Sequence, residues 1–593
     1  MRSTQAMMTP LGSSPEAATL RPTRPAYRRR TRLKGERGYV LIMSALLMLP
    51  LLAFAGFAID VGAWYVHANR MQRAADAAAL AGVVWMPNDE RAETVALDTA
   101  KANGFDDAAA DITVTVTPVG SRRLRVRITD TDSPMYLSSI FLNQVDIRRQ
   151  SLAEYVQSVP MGSPDNTVGN DPTRWTTPGY TPPYYWLNTS GPNGRKANGD
   201  RHTAGVCDAF SGCSGTTNLE YSDDGYLYRL NVDVRPASGD LHVQVYDPAF
   251  FYTGDTCDTG NLLDPADTAT SPTYTQQVNT LIAQGHADAA ARYSRGNSIW
   301  CAGDQDINGR TVTTSYVVRA PDGTPFDNLD NPIVCGITFD DYSEEVYPLL
   351  NQADGYRNGN IGRENMAFDD HFRQWTDVCT IPWNSIAIGD YILQVRTNAD
   401  LSAPPSSLAN ADAGVTDGGY NRYALRAGFG TAGSAGFATG LNVFADGRLP
   451  IYVNQSIGGA ATNFYLARVV PEYAGQILEL EFFDVADGSN GTLTVTPPGD
   501  MTGSGVTGCT FIRDAAPPTV TTSATCTSPT LTSANYNGRV VTVQIPLPDN
   551  YSCDAGSDLG CWFRVNLDFA GGTPTDTTTW SARVRGDPVR LVE

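Results

Sequence analysis

The sequence predicts an α+β chain that is mostly β: an N-terminal transmembrane helix, a small α+β module continuing it, and two β-sandwich (jelly-roll-like) domains. Three observations lead there. Residues 39–59 form an apolar run without a charge. All ten cysteines follow that run. The rest of the chain alternates short apolar runs with turns, within a composition of 55 Gly and 37 Pro, which suits many short strands rather than long helices. The expected boundaries are 1–38 for a basic cytoplasmic tail, 39–59 for the transmembrane helix, 60–157 for the module, 158–430 for a sandwich with insertions, and 431–593 for a second sandwich.

Charge divides the chain sharply. Residues 1–38 hold nine Lys/Arg and two acids; they carry +7 within a total of −20, leaving −27 for the remainder. Basic residues beside an apolar run hold that end inside the cell. An acidic body argues against nucleic acid as a partner, because that affinity comes largely from cations neutralising phosphates; acidity also keeps an exported surface soluble. The run of 21 residues would span about 31 Å as a helix, enough for the hydrocarbon core. The alternative is a signal peptide cut at Ala53-Phe54-Ala55, whose apolar core is usually shorter.

The ten cysteines are Cys207, Cys213, Cys257, Cys301, Cys335, Cys379, Cys509, Cys526, Cys553 and Cys561. An even count without CxxC points to disulfides in an oxidising compartment rather than to metal or redox chemistry. Pairing of nearest neighbours is the simplest scheme, and spacing leaves the connectivity open.

After the apolar run, Asp60 marks the exit from lipid. Residues 61–82 read as an Ala-rich helix, with Val61, Tyr65, Ala68, Ala75 and Ala79 on one face and Ala58/Gly62 as a small-xxx-small pair. Two readings stand: packing on the chain's own domain, or lateral packing on partner helices. Residues 89–104 read as a second helix, with acids in its first turn and Gly104 as its stop. Ile112, Val114 and Val116 alternate with threonines, and Leu124, Val126 and Ile128 with arginines: two strands around a turn at Gly120. The arginine face suits either solvent or an acidic partner. Residues 134–142 form a short apolar helix or strand, and Val145–Val156 a third strand.

Within this stretch the chain resembles a known family. Arg37-Gly38 before an apolar span, Asp60-Val61-Gly62, Tyr65, Arg70, Gln72 and the run AADAAALAG from Ala74 to Gly82 are similar to the N-terminal module of TadE/TadG-like proteins of the tight-adherence (Flp) pilus system. The resemblance implies a bacterial envelope protein with one membrane helix, partnered by the membrane and by other pilus-assembly proteins. It implies Asp60, Gly62, Tyr65, Gln72 and Asp76 as assembly-helix residues, and a pilin-like outline for 60–157. One departure bears on role. Prepilin-peptidase substrates carry Glu five residues after the cut, and here that position is Met43, so the resemblance implies an accessory anchor rather than a pilus subunit. The DxSxS metal loop of some larger TadG-like proteins is absent.

Beyond a Pro/Gly/Thr-rich stretch at 157–183, alternating runs at Tyr228–Val234, Leu241–Tyr246, Val312–Val318, Tyr391–Val395 and Tyr423–Arg426 predict the first sandwich, with residues 274–292 as a helical insertion. Runs at 464–467, Ile477–Phe483, Leu493–Val495, Val540–Ile545 and Phe563–Leu567 predict the second. A short internal repeat links them: Gly239, an alternating strand, then Tyr246-Asp247, against Gly475, a strand, then Phe483-Asp484.

Motifs for hydrolysis or nucleotide binding (HExxH, a Walker loop, GxSxG, paired CxxC) are absent from the sequence, so no enzymatic activity is expected. The adjacent Asp370 and His371 read as a polar loop. No cofactor is expected, with calcium as the one candidate: Asp304, Asp306 and Asn308, followed by Gly309, match the opening of a calcium loop. Ser315 stands where an EF-hand would place Glu, and an ordinary turn fits equally. In the aromatic cluster Tyr180, Tyr184, Tyr185 and Trp186, the last three are candidates either for sandwich core or for stacking on a glycan. Two functions follow: a Tad/Flp-type membrane protein aiding pilus assembly or surface adhesion, or a glycan- or ligand-binding surface protein sharing only the anchor.

Overall fold

The computed structural model describes residues 39–86, 89–119, 123–140, 142–155, 159–207, 216–247, 279, 282–283, 285, 287–292, 299–303, 312, 314–322, 328–339, 373–397, 419–431, 437, 440–454, 461–485, 490–515, 517–569, 575–585 and 589–592. It is α+β and mostly β. Two compact units emerge, one from the chain up to residue 69 with 131–147, the other from 70–130 with 148–593.

The apolar run does not end its helix at Ile59. One α-helix runs from Tyr39 to Val83, with Pro50 inside it. Nothing in residues 60–83 interrupts it, since Ala, Leu, Met, Arg and Gln are good helix formers. Its first part is exposed; from Ala68 onward, Ala68, Met71, Ala74, Ala75, Ala78, Ala79 and Val83 are buried. A second helix, Asp89–Ala102, buries Ala92, Ala96 and Ala100 on one face. It stops at Gly104, where the Phe105 N–H reaches back to the Ala100 carbonyl at 3.0 Å.

Beside these helices lies a four-stranded antiparallel sheet in the order Ile112–Pro118, Arg123–Asp130, Ile147–Tyr155, Val589–Leu591. The arginine face is engaged within this sheet. Arg123 bonds the Glu154 carboxylate at 2.9 Å, and Arg127 bonds the Gln150 side chain at 3.0 Å. The last strand departs from the expected organisation, which left the C-terminus in the second sandwich. Val589–Leu591 instead pairs with residues 153–155. Glu154 is fully buried, and Arg590 supplies two bonds to it, at 2.9 and 2.7 Å. A buried carboxylate needs such cations, and the C-terminal strand brings one.

The body is a sandwich of two large antiparallel sheets around one core. The larger sheet orders Trp375–Ile381, Leu241–Tyr246, Tyr420–Phe429, Tyr185–Ser190, Leu449–Asn454, Thr575–Val584, Ile477–Phe483, Val540–Pro546, Cys509–Arg513 and Thr519–Ser523, with Thr167–Val168 paired to Tyr420–Phe429. The other orders Ile333–Phe339, Thr314–Arg319, Gly389–Thr397, Tyr226–Val232, Leu441–Asp446, Pro160–Met161, Ala461–Arg468, Trp562–Asp568 and Thr492–Thr496.

These orders are mirror lists. Outward from the middle of the larger sheet, the first half gives 185–190, 420–429, 241–246, 375–381, and the second gives 449–454, 575–584, 477–483, 540–546. Register repeats as well. Ala424 faces Tyr246 and Phe429 faces Leu241; Thr579 faces Phe483 and Val584 faces Leu478. Leu187 faces Tyr423 as Ile451 faces Thr578, and at the junction Leu187 faces Ile451. In the other sheet Leu393 lies between Tyr228 and Val318, and Val565 between Phe464 and Val495. The short sequence repeat is therefore part of a structural one. Gly239 and Gly475 both take positive φ (+100° and +74°), as do Asp247 and Asp484 (+55° and +61°).

The halves are joined rather than side by side. Leu441–Asp446, the first strand of the second half, pairs with Tyr226–Val232 of the first; Pro160–Met161 of the first half pairs with Ala461–Arg468 of the second. Both sheets thus run across the expected boundary at 430/431. Each half lends a strand to the other, which leaves no free sheet edge at the junction.

Disulfides join Cys335 to Cys379, Cys509 to Cys526, and Cys553 to Cys561. Cys207 and Cys301 are also disulfide-bonded. Cys213 and Cys257 lie outside the described residues, and no described cysteine is free.

Candidate functional site: a carboxylate-anchored collar on the long helix

Asp60 is the one acid in the helix between Tyr39 and Arg73, and it is fully buried. Its partners come from a loop more than seventy residues later. The carboxylate accepts the N–H of Tyr136 at 2.8 Å, the N–H of Leu137 at 2.9 Å, and both the N–H and the hydroxyl of Ser138. Ser138–Ile140 is a single 3-10 turn. Asp60 therefore caps that turn from another element, filling its unpaired N–H groups with a charged acceptor.

Residues four apart on a helix share a face, and the loop lies along Gly56, Asp60 and Trp64. A Cβ at Gly56 would stand 2.6 Å from Leu137 Cδ1, so glycine makes room for the loop. The Trp64 indole N–H donates to the Pro134 carbonyl at 2.9 Å, and its ring meets Phe57 edge-on at 6.2 Å. The Ser133 N–H bonds the Val145 carbonyl and closes the base of the loop. Gly56, Trp64 and Ser138 were not among the expected site residues. The i, i+4 spacing of Gly56 and Trp64 about Asp60 was the available signal; nothing local to Ser138 announces its partner.

The five expected assembly-helix residues separate. Asp60 holds the loop. Gly62 is open, with nothing within 4 Å of an added Cβ, and Tyr65 is exposed. Gln72 and Asp76 are half-buried and bonded within the module. Gln72 Nε2 donates to Asp76 Oδ1 at 2.8 Å and to the Gln150 carbonyl at 3.0 Å, tying the helix to Ile147–Tyr155. Of the face read from the sequence, Ala68, Ala75 and Ala79 pack on the chain's own domain, while Val61 and Tyr65 stay exposed.

Asp304, Asp306 and Asn308 lie outside the described residues, as does Phe368–His371. Asp500 sits within ligand distance of Cys553 and Cys561, but those sulfurs are bonded to each other. The Asp500 carboxylate accepts the N–H groups of Asp554 and Cys561 instead. His242 Nδ1 meets both Asp377 at 3.2 Å and Thr380 at 3.4 Å. A base relay needs the acid and the nucleophile on opposite ring nitrogens, and this arrangement places both on one. Tyr185 and Trp186 are fully buried, which removes them as glycan-stacking rings. Trp186 stacks on Tyr246 at 5.6 Å in a secondary core.

Tyr39–Val83 is long and apolar enough to cross a membrane. A search of curated proteins finds no match to the chain. Residues 38–86, the long helix with the turn after it, match the family described as putative Flp pilus-assembly TadE/G-like.

Proposed function

We propose that the chain is a non-enzymatic, membrane-anchored envelope protein of the Tad/Flp pilus-assembly type, aiding pilus assembly or surface adhesion. Its N-terminus is cytoplasmic, and its body stands in the periplasm or outside the cell. The carrying observation is the family match over residues 38–86, which falls on a helix exposed and apolar in its first half and buried in its own module in the second. The basic tail supports the orientation, and the disulfides support an oxidising location for the body. Gly62 and Tyr65 are exposed helix positions next to the collar, and a partner helix would pack there. The alternative of a glycan-binding body loses two of its ring candidates to the core.

The test is photo-crosslinking in the native envelope from residues introduced at Gly62 and Tyr65. Capture of pilus-assembly proteins is expected. Absence of such capture, together with glycan binding by the purified full chain, would replace this reading with the alternative.

A further inference from the structure

We propose that the loop held by Asp60 is a second membrane element, lying in the headgroup–acyl boundary of the bilayer that the long helix crosses. The proposal rests on the membrane-anchor reading above and adds a surface to it. From residue 133 to residue 145 the chain carries no Asp, Glu, Lys or Arg, and Asp132 and Asp146 bracket the stretch. Three of its apolar side chains face outward: Tyr136 is 66% exposed, Leu137 46% and Leu142 40%. Hydrogen bonds and close packing fix the loop at Gly56, Asp60 and Trp64, so these side chains flank the end of the apolar span. There they continue the exposed surface of Phe57, Ile59 and Val61.

A contiguous apolar surface of this kind is costly in water. At a bilayer boundary it is the expected composition, with Trp and Tyr supplying an apolar body and a polar tip. The buried carboxylate fits the same picture. An acid within one turn of an apolar span is expensive in lipid unless its charge is fully bonded, and the loop's own N–H and hydroxyl donors do that. Asn143, Gln144 and Asp146 are exposed just before the strand Ile147–Tyr155 and mark the aqueous side. Continuity with the span favours lipid over a partner protein as the occupant.

The experiment uses the full chain in lipid nanodiscs, with single spin labels on cysteines introduced by Leu137→Cys, Leu142→Cys, Leu47→Cys in the span, and Leu559→Cys on the body. All four side chains are exposed, so the labels displace no core. Collision rates with oxygen and with a water-soluble nickel chelate are compared. The proposal expects an oxygen-to-chelate ratio at 137 and 142 severalfold above that at 559, and below that at 47. Ratios at 137 and 142 equal to that at 559, with 47 still lipid-like, would overturn the loop proposal and leave the anchor standing. A water-like ratio at 47 would overturn the anchor reading itself. Exclusion of both probes at 137 and 142 would show a protein partner there and would also overturn the proposal.

Discussion

In the first half of the body Tyr246 faces Ala424, and in the second Phe483 faces Thr579. Each aromatic is followed by a buried Asp with positive φ. Among the described residues, the next strand after Tyr246 begins at Thr314, and the next after Phe483 begins already at Thr492. Strand register is thus shared while connections differ. Apolar alternation facing a common core fixes register, since a slip of one residue would turn every core side chain outward. Connections are not bound by that alternation and are free to lengthen.

One first-half connection, residues 191–225, has become a lock on the other half. Asp200 is fully buried, accepting the N–H groups of Ser190, His202 and Thr203 and the Tyr226 hydroxyl. The loop then reaches the second half: Thr579 donates to the Gly199 carbonyl at 2.7 Å and accepts the Arg201 N–H at 3.0 Å. Arg201 also meets Glu481 at 3.3 Å. Glu220 is held between Lys196 and Arg201; burial pushes its carboxyl up, but the hydrogen bonds from both cations outweigh this and hold it down to about 2.

The largest expected effect separates the halves by their cross-links. Cys335–Cys379 of the first half spans 44 residues, while Cys509–Cys526 and Cys553–Cys561 of the second span 17 and 8. Chain entropy gives losses of roughly 4, 3 and 2.5 kcal/mol when each pair is replaced by Ala. Denaturant unfolding of the three variants should follow that order; a reversed order would place the stability in the second half.

Next comes the lock. A Cβ at Gly199 would lie 1.9 Å from the Thr577 carbonyl oxygen, at φ +91°, so Gly199→Ala should cost about 3 kcal/mol. An unchanged melting temperature would show that the loop does not fasten the halves.

A smaller effect is pH-dependent. Burial and the nearby Arg448 cation hold the His202 imidazole down to about 4. With its folded value below its unfolded value near 6.5, the neutral ring favours the fold. That contribution is full above pH 6.5 and is lost as pH falls toward 4, amounting to roughly 3 kcal/mol at most. His202→Asn should flatten the stability profile in that window, and an equal slope in both proteins would refute the assignment.

Much of this was legible in the sequence. Leu241–Tyr246 and Ile477–Phe483 appear with the bounds that alternation gave them, and the Gly-strand-aromatic-Asp repeat marked true equivalents. The exchange of Leu441–Asp446 and Pro160–Met161 between halves was not legible, because strand pairing joins residues hundreds apart and leaves no local mark. The same holds for Val589–Leu591, whose place depends on Glu154 needing Arg590. Asp60 read as the exit from lipid; its four donors sit in a loop recognisable from sequence only as apolar. Gln72 and Asp76 carried the family pattern, yet pattern alone does not distinguish a residue facing a partner from one bonded to Gln150.

The most direct measurement is hydrogen exchange on the full chain in nanodiscs, comparing wild type with Asp60→Ala. If Asp60 fastens the loop to the helix, the amides of Tyr136, Leu137 and Ser138 are protected in the wild type. In the variant they exchange freely, while the amides of residues 74–79 are unchanged. Equal protection of 136–138 in both proteins would contradict the account.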